Sequence, residues 1–168
     1  KTSRLETGVL ALHPTPAPLS PVISRAAEQY RPKAEVKQIT LTAELPDDLA
    51  AVFDTKWTEE ALCNLLDNAV KYTDAGGSVS IRAVAYDLFA RVDASDTGCG
   101  IADEEQSKIF GRFYRSAAAA QTQGVGIGLY LTRQILLCEG GYLKVSSQEG
   151  RGSTFSLFLP CETPGAQM

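Results

Sequence analysis

The chain of 168 residues is 44% hydrophobic and 21% charged, an ordinary globular composition with apolar content for one core and too little length for two full domains. Its net charge of -4 has the wrong sign for a nucleic-acid-binding domain, so no nucleic-acid partner is expected and any phosphate must be held by a local cluster. Cys63, Cys99, Cys138 and Cys161 stand far apart, with no Cys-x-x-Cys pair and no histidine cluster; this argues against a zinc site or a disulfide framework and predicts reduced thiols in a cytosolic compartment.

No signal peptide and no apolar run of about 18 residues is visible. The chain opens on Lys1 rather than Met, which predicts a piece of something longer. Residues Lys1 to Gly8 read as the tail of a helix, followed by a short strand through Val9, Leu10 and Leu12. A proline-rich connector from Pro14 to Pro21 comes next. The spacing of Val22, Ile23, Ala26, Ala27 and Tyr30 predicts a helix over Ser20 to Arg31 that Pro32 ends. From Gln38 to Leu45, Ile39, Leu41 and Ala43 alternate with Thr40, Thr42 and Glu44, a half-buried strand. A second short strand, through Val52 and Phe53, precedes a long helix for which Asp54 or Thr55 is the expected cap.

That helix carries two unlike faces. At about 100° per residue, Leu62, Leu65, Leu66 and Ala69 gather on one side, while Asn64, Asp67, Asn68, Lys71 and Tyr72 gather on the other. Amide oxygens suit a hard divalent cation and an ammonium suits a phosphate. A solvated helix face is the alternative for an isolated Asn-x-x-x-Asn.

After the turn Asp74 to Gly77, two strands join near Asp87. Val79, Ile81, Ala83 and Ala85 share a face of the first, and Leu88, Ala90, Val92 and Ala94 share a face of the second. Parity carries Asp96 to that inward face, where a carboxylate must find a donor. Asp96-Thr97-Gly98-Cys99-Gly100 thus sets an acceptor beside glycines that let a ligand approach the backbone, and an exocyclic amine such as that of adenine would suit it; a structural turn is the alternative. A short acidic helix is expected from about Asp103 to Phe110. Ile109 to Arg115 interleaves aromatics with Arg112 and Arg115, so that the aromatics could anchor a loop while an Arg reaches a terminal phosphate, or the segment could be a plain helix end. The stretch Ser116 to Gly126 reads as a mobile loop. Gly124-Val125-Gly126-Ile127-Gly128 precedes a helix running to about Cys138, on which Ile127, Leu131 and Ile135 stack; its free N–H groups would form an anion site, or the glycines a flexible turn. Gly140-Gly141 stops this helix, and a hairpin of Tyr142 to Gln148 and Thr154 to Leu159 closes the chain.

These clusters, in this order, resemble the ATP-binding catalytic domain of bacterial two-component sensor histidine kinases, the Bergerat-fold superfamily shared with type II topoisomerases, mismatch-repair ATPases and heat-shock chaperone ATPases. Asn64 to Thr73 is similar to the N box, Asp96 to Ile101 to the first glycine box, Ile109 to Arg115 to the F box, Gly124 to Leu129 to the second glycine box, and Gly150 to Phe155 to the terminal Gly-x-Gly-Thr-like turn. The resemblance runs from Leu5 to Pro160. It implies residues 1–8 as a remnant of the dimerisation and phosphoacceptor helix, 9–160 as the catalytic domain and 161–168 as a tail. The implied fold is an α/β (α+β) two-layer sandwich: a mixed, largely antiparallel sheet, helices on one face and a mobile ATP lid. Inward strand parity and the helical apolar stripes agree with it.

The resemblance further implies ATP and Mg2+ as cofactors. Asn68 would be the magnesium ligand, with Asn64 supporting it, and Lys71 and Tyr72 would meet phosphates. Asp96 would take the adenine amine, with Gly98, Gly100 and Ile101 beside it and Ser153 reaching adenine through water. Phe110 belongs to the F box and Arg115 would meet the γ-phosphate. Gly124, Val125, Gly126, Gly128 and Leu129 would line the phosphates, mainly through backbone amides. Val125 and Ile127 replace the more usual Thr and Leu, and Gly111 replaces a usual acidic residue.

Superfamily members that hydrolyse ATP place a Glu one turn before the magnesium Asn. Here that position is Asn64, whose amide cannot act as a general base, and Glu60 lies a further turn back. Asn64, Lys71 and Arg115 are therefore read as the catalytic set of a histidine kinase, transferring to a histidine on a separate dimerisation domain. The only histidine, His13, sits between Leu12 and Pro14 with no Glu after it, and is read as structural or incidental. A response regulator is the implied downstream partner. The fragment is expected to be monomeric, the full-length kinase a homodimer, and the domain cytoplasmic within a membrane-anchored protein. The alternatives are a degenerate ATP-binding module that signals through closure of the Ser116 to Gly124 loop, and an ATP hydrolase, which Asn64 disfavours.

Overall fold

The computed structural model describes residues 11–111 and 128–161. Five strands form one sheet in the order β2-β4-β5-β7-β6, comprising β2 (Thr40–Glu44), β4 (Ser78–Tyr86), β5 (Phe89–Asp96), β7 (Gly152–Pro160) and β6 (Tyr142–Gln148); β1 (Thr15–Pro18) and β3 (Ala50–Phe53) form a separate ribbon. Only β2 and β4 run parallel; the other neighbouring pairs are antiparallel. The helices are α1 (Ser20–Lys37), α2 (Thr55–Tyr72), the short α3 (Asp103–Gln106) and α4 (Gly128–Cys138). The expected mixed, largely antiparallel α/β sandwich is what forms.

Strand parity builds the core. Val79 and Ile81 on β4, Ala90, Val92 and Ala94 on β5, and Phe155, Leu157 and Leu159 on β7 are all buried. They meet the apolar stripes of the helices: Val22, Ile23, Ala26 and Ala27 on α1, Ala61, Leu62, Leu65, Leu66 and Ala69 on α2, and Leu131, Ile135 and Leu136 on α4. Asp54 caps α2 as expected, its Oδ1 accepting from the Trp57 N–H at 3.0 Å.

The fold corrects several sequence expectations. The proline-rich connector contains strand β1, paired antiparallel with β3 from Thr15↔Phe53 to Pro18↔Ala50. Two prolines are tolerated because β1 has only β3 as a neighbour, so Pro16 and Pro18 can turn their missing N–H groups to its other side. Of the expected early strand, Leu12 lies ahead of β1, and Val9 and Leu10 fall outside the described residues. Pro32 does not end α1, which runs on to Lys37 with Ala34 buried. A helix-interior proline costs about 3 kcal/mol. Packing against α2 offsets it, and so does Lys37, whose Nζ donates to the Val70 and Lys71 carbonyls at 2.8 Å each. The acidic helix stops at Gln106 rather than Phe110. Leu88 lies in the β4–β5 turn, 62% exposed, rather than on the inward face. All four cysteines are free thiols. No helix among the described residues is long and apolar enough to cross a membrane.

Candidate functional site

On α2 the polar face stands as the periodicity predicts: Asn64, Asp67, Asn68 and Tyr72 are half-buried and Lys71 is exposed, opposite the buried leucines. Lys71 Nζ lies 2.9 Å from Asp67 Oδ2, an i,i+4 pair with both side chains partly in water. Such pairs contribute about 0.3–0.5 kcal/mol, so the ammonium is free to change partner at little cost.

Asp96 ends β5 on the inward face, directly opposite Ser153 on β7. Its Oδ1 accepts from the Gly98 N–H at 2.9 Å, and the Ser153 N–H also donates to the carboxylate. Burial nevertheless holds the carboxyl above its ordinary range, and these two donors only partly oppose the shift. The loop that follows is pressed onto the end of α2. A Cβ on Gly98 would sit 2.3 Å from the Tyr72 carbonyl oxygen, and the Cys99 N–H donates to that oxygen at 3.4 Å. Gly100, at φ +71°, crosses the β6–β7 turn so closely that a Cβ would sit 2.2 Å from the Gln148 oxygen. Only glycine fits at either point.

Two side chains that the sequence reading missed fasten this end of the site. Ser147 Oγ accepts from the Ile101 N–H at 2.8 Å and lies within 3.0 Å of the Gly152 oxygen and 2.8 Å of Ser153 Oγ. Gln106 Nε2 donates to the Ile101 and Ser147 oxygens at 2.9 and 3.0 Å. Both residues tie the Asp96–Ile101 loop to β6. Parity could have found Ser147, which continues the inward series Leu143, Val145. At the other end of α2, Glu139 is 3% exposed; its Oε2 accepts from the Asp54 N–H and the Thr58 hydroxyl, each at 2.8 Å, while Oε1 has no hydrogen-bond partner. Burial, opposed by those two donors and aided by the Asp54 carboxylate, pushes its carboxyl up to about 7. An acid at a helix C-terminus, where the dipole disfavours it, was the available signal.

An open cleft of about 470 Å³ is lined by Asp96, Ser147, Gly152 and Ser153 among others; Asn68 and Lys71 are not part of its lining. The structure thus gathers Asp96, Gly98, Gly100, Ile101 and Ser153 at one end and joins them to Tyr72 through the backbone. Phe110 is half-buried, with the Arg133 guanidinium 5.9 Å from its ring centre. Leu129 is half-buried on the first turn of α4, which starts at Gly128. Gly124, Val125, Gly126 and Arg115, together with the expected mobile loop, lie outside the described residues.

Comparison with known proteins identifies the family. Residues 53–163 match the family described as histidine kinase-, DNA gyrase B-, and HSP90-like ATPase. The chain is 35% identical over 166 residues to the circadian input-output histidine kinase CikA of Synechococcus elongatus, covering 96% of this chain and 22% of CikA. It is 35% identical over 151 residues to the adaptive-response sensory kinase SasA of Synechocystis sp., covering 89% of this chain and 39% of SasA. Among solved structures it resembles the mycobacterial sensor histidine kinase MprB, with TM-score 0.75, 29% identity and coverage of 88% and 97% of the two chains. Full-length ShkA in complex with AMPPNP gives TM-score 0.82 at 28% identity, over 98% of this chain and 35% of that one.

The chain belongs to the histidine kinase-, DNA gyrase B-, and HSP90-like ATPase family. Within it, the domain is of the ATP-binding, two-component histidine-kinase type. It spans about a fifth of CikA and two fifths of SasA.

Proposed function

We propose that this domain binds Mg-ATP between the last turns of α2 and the β5–β7 end of the sheet, and transfers the γ-phosphate to a histidine on a separate dimerisation domain. The observation that carries this reading is the contact of the Gly98 backbone with the Tyr72 carbonyl. It makes the polar face of α2 and the Asp96–Ser153 pair two ends of one surface.

In this reading Asp96 accepts from the exocyclic amine of adenine. Lys71 leaves Asp67 to meet a phosphate, and Tyr72 lies beside it. Asn68 would hold the magnesium ion, with Asn64 behind it. A single amide oxygen would suit that ion, which takes few ligands from protein side chains. Bound there, it would neutralise developing phosphate charge. Arg115 and the backbone amides of Gly124, Gly126 and Gly128 would face the phosphates. With an amide at Asn64, the position one turn before Asn68 offers no carboxylate to activate water, which favours transfer over hydrolysis.

The acceptor imidazole must come from elsewhere. The backbone N–H of His13 donates to Asp54 Oδ2 at 2.9 Å, which sets this residue at the N-terminus of α2. Asp54 lies fourteen residues before Asn68, about 21 Å along a helix. A dimerisation domain from the same kinase and a downstream response regulator are the implied partners, and the whole kinase would be a homodimer. No helix among the described residues is long and apolar enough to cross a membrane, and the expected membrane attachment is left without support.

The test is incubation with labelled ATP, magnesium and the dimerisation segment of the same kinase, scoring phosphohistidine and free phosphate. Acid-labile label on the added segment, with none on His13 and little free phosphate, is the expected result; in Asn68→Ala the fold should survive and transfer should vanish. Free phosphate alone would indicate a hydrolase, and nucleotide binding without either product a signalling module.

A further inference from the structure

The Ser147 hydroxyl touches three groups whose roles are not all free. The Ile101 N–H can only donate and the Gly152 carbonyl can only accept, while the Ser153 hydroxyl can do either. A serine oxygen offers one proton and two lone pairs. If Ser147 gave its proton to Ser153, its oxygen and that of Gly152 would face each other at 3.0 Å with no proton between them. Only one arrangement makes all three contacts attractive. Ser147 accepts from Ile101 on one lone pair, donates to Gly152 and accepts the Ser153 proton on its second lone pair.

The consequence falls on Ser153. With its own proton committed to Ser147, its Oγ presents lone pairs alone to the cleft that it lines with Asp96. Its N–H is also occupied, donating to the Asp96 carboxylate. The Asp96 carboxylate and Ser153 Oγ then form a wall of acceptors on two paired strands. Such a wall fits a ligand edge carrying N–H donors and repels one carrying a carbonyl.

We propose that Ser147, through the direction of the Ser153 hydroxyl, is a positioning residue that makes this end of the site select a 6-amino over a 6-oxo purine. The proposal rests on the nucleotide reading above and deepens it. Ser147 also borders the cleft, but its own proton is committed to the Gly152 carbonyl, so its effect on the base passes through Ser153.

Calorimetric titration of ATP and GTP into wild type, Ser147→Ala and Ser147→Thr tests it. Wild type should prefer ATP, and Ser147→Thr, which keeps the hydroxyl, should retain the ratio. In Ser147→Ala the Ser153 proton is released to turn toward a purine oxygen, and the ATP-to-GTP ratio should fall about five-fold, the size of one neutral hydrogen bond. A merely structural role would weaken both nucleotides together, and an unchanged ratio overturns the proposal. Should circular dichroism show Ser147→Ala unfolded, Ser147→Cys makes the same comparison, since a thiol is a weak donor and acceptor. A wild type that does not distinguish ATP from GTP would sink the adenine assignment, a failure separate from an unchanged ratio in the variant.

Discussion

Replacing Glu139 by Gln should stabilise the domain at alkaline pH and remove much of the pH dependence of its stability. The carboxyl is 3% exposed, with Oε2 accepting from the Asp54 N–H and the Thr58 hydroxyl and Oε1 unpartnered. Its pKa rises from an ordinary 4.5 to about 7, so the folded protein holds this proton more tightly than the unfolded chain. Stability from this group is therefore fully present below 4.5, is lost as pH rises through the window to about 7, and stays lost above it. At 1.36 kcal/mol per pH unit, the loss is roughly 3 kcal/mol. In Glu139→Gln the amide oxygen can keep both donors, and the side chain carries no charge at any pH. The gain should appear at pH 8 and vanish near pH 4, ends set by the two pKa values. Urea unfolding of both proteins across this range measures it, and at about 2–4 °C per kcal/mol for a chain of this size the variant should melt near 10 °C higher at pH 8. Parallel stability curves for the two proteins would refute the reasoning.

Asp96→Asn keeps an oxygen for the Gly98 and Ser153 N–H groups but loses the charge, so the fold should stand while ATP preference over GTP drops about 10–100-fold, the scale of a hydrogen bond to a charged group; an unchanged preference by calorimetry would count against the adenine role. Gly98→Ala sets a methyl 2.3 Å from the Tyr72 carbonyl, so the loop or the last turn of α2 must shift, at about 1–3 kcal/mol of stability by thermal melt. ATP affinity should fall with it, and retained affinity would show that the Gly98 contact does not shape the site.

The sequence alone determined the parts of this protein that repeat with a local period. The α2 stripe of Leu62, Leu65, Leu66 and Ala69, the alternation along β4 and β5 and the arrival of Asp96 on the inward face follow from 3.6- and 2-residue geometry. That geometry needs no knowledge of neighbours, and the order of the boxes added the family. Tertiary structure decided what depends on partners distant in the chain. Pro32 stays helical because α2 supplies packing and two carbonyls for Lys37; Pro16 and Pro18 lie in a strand because β3 is its only neighbour. Lys71 is held by Asp67 on its own helix, a pairing that spacing allows but does not choose. The close fit of Gly98 against Tyr72, the three contacts of Ser147 and the buried Glu139 beside Asp54 join residues between 5 and 85 positions apart. A buried polar group takes its character from whichever donors the fold brings to it. Composition and periodicity carry no record of those donors.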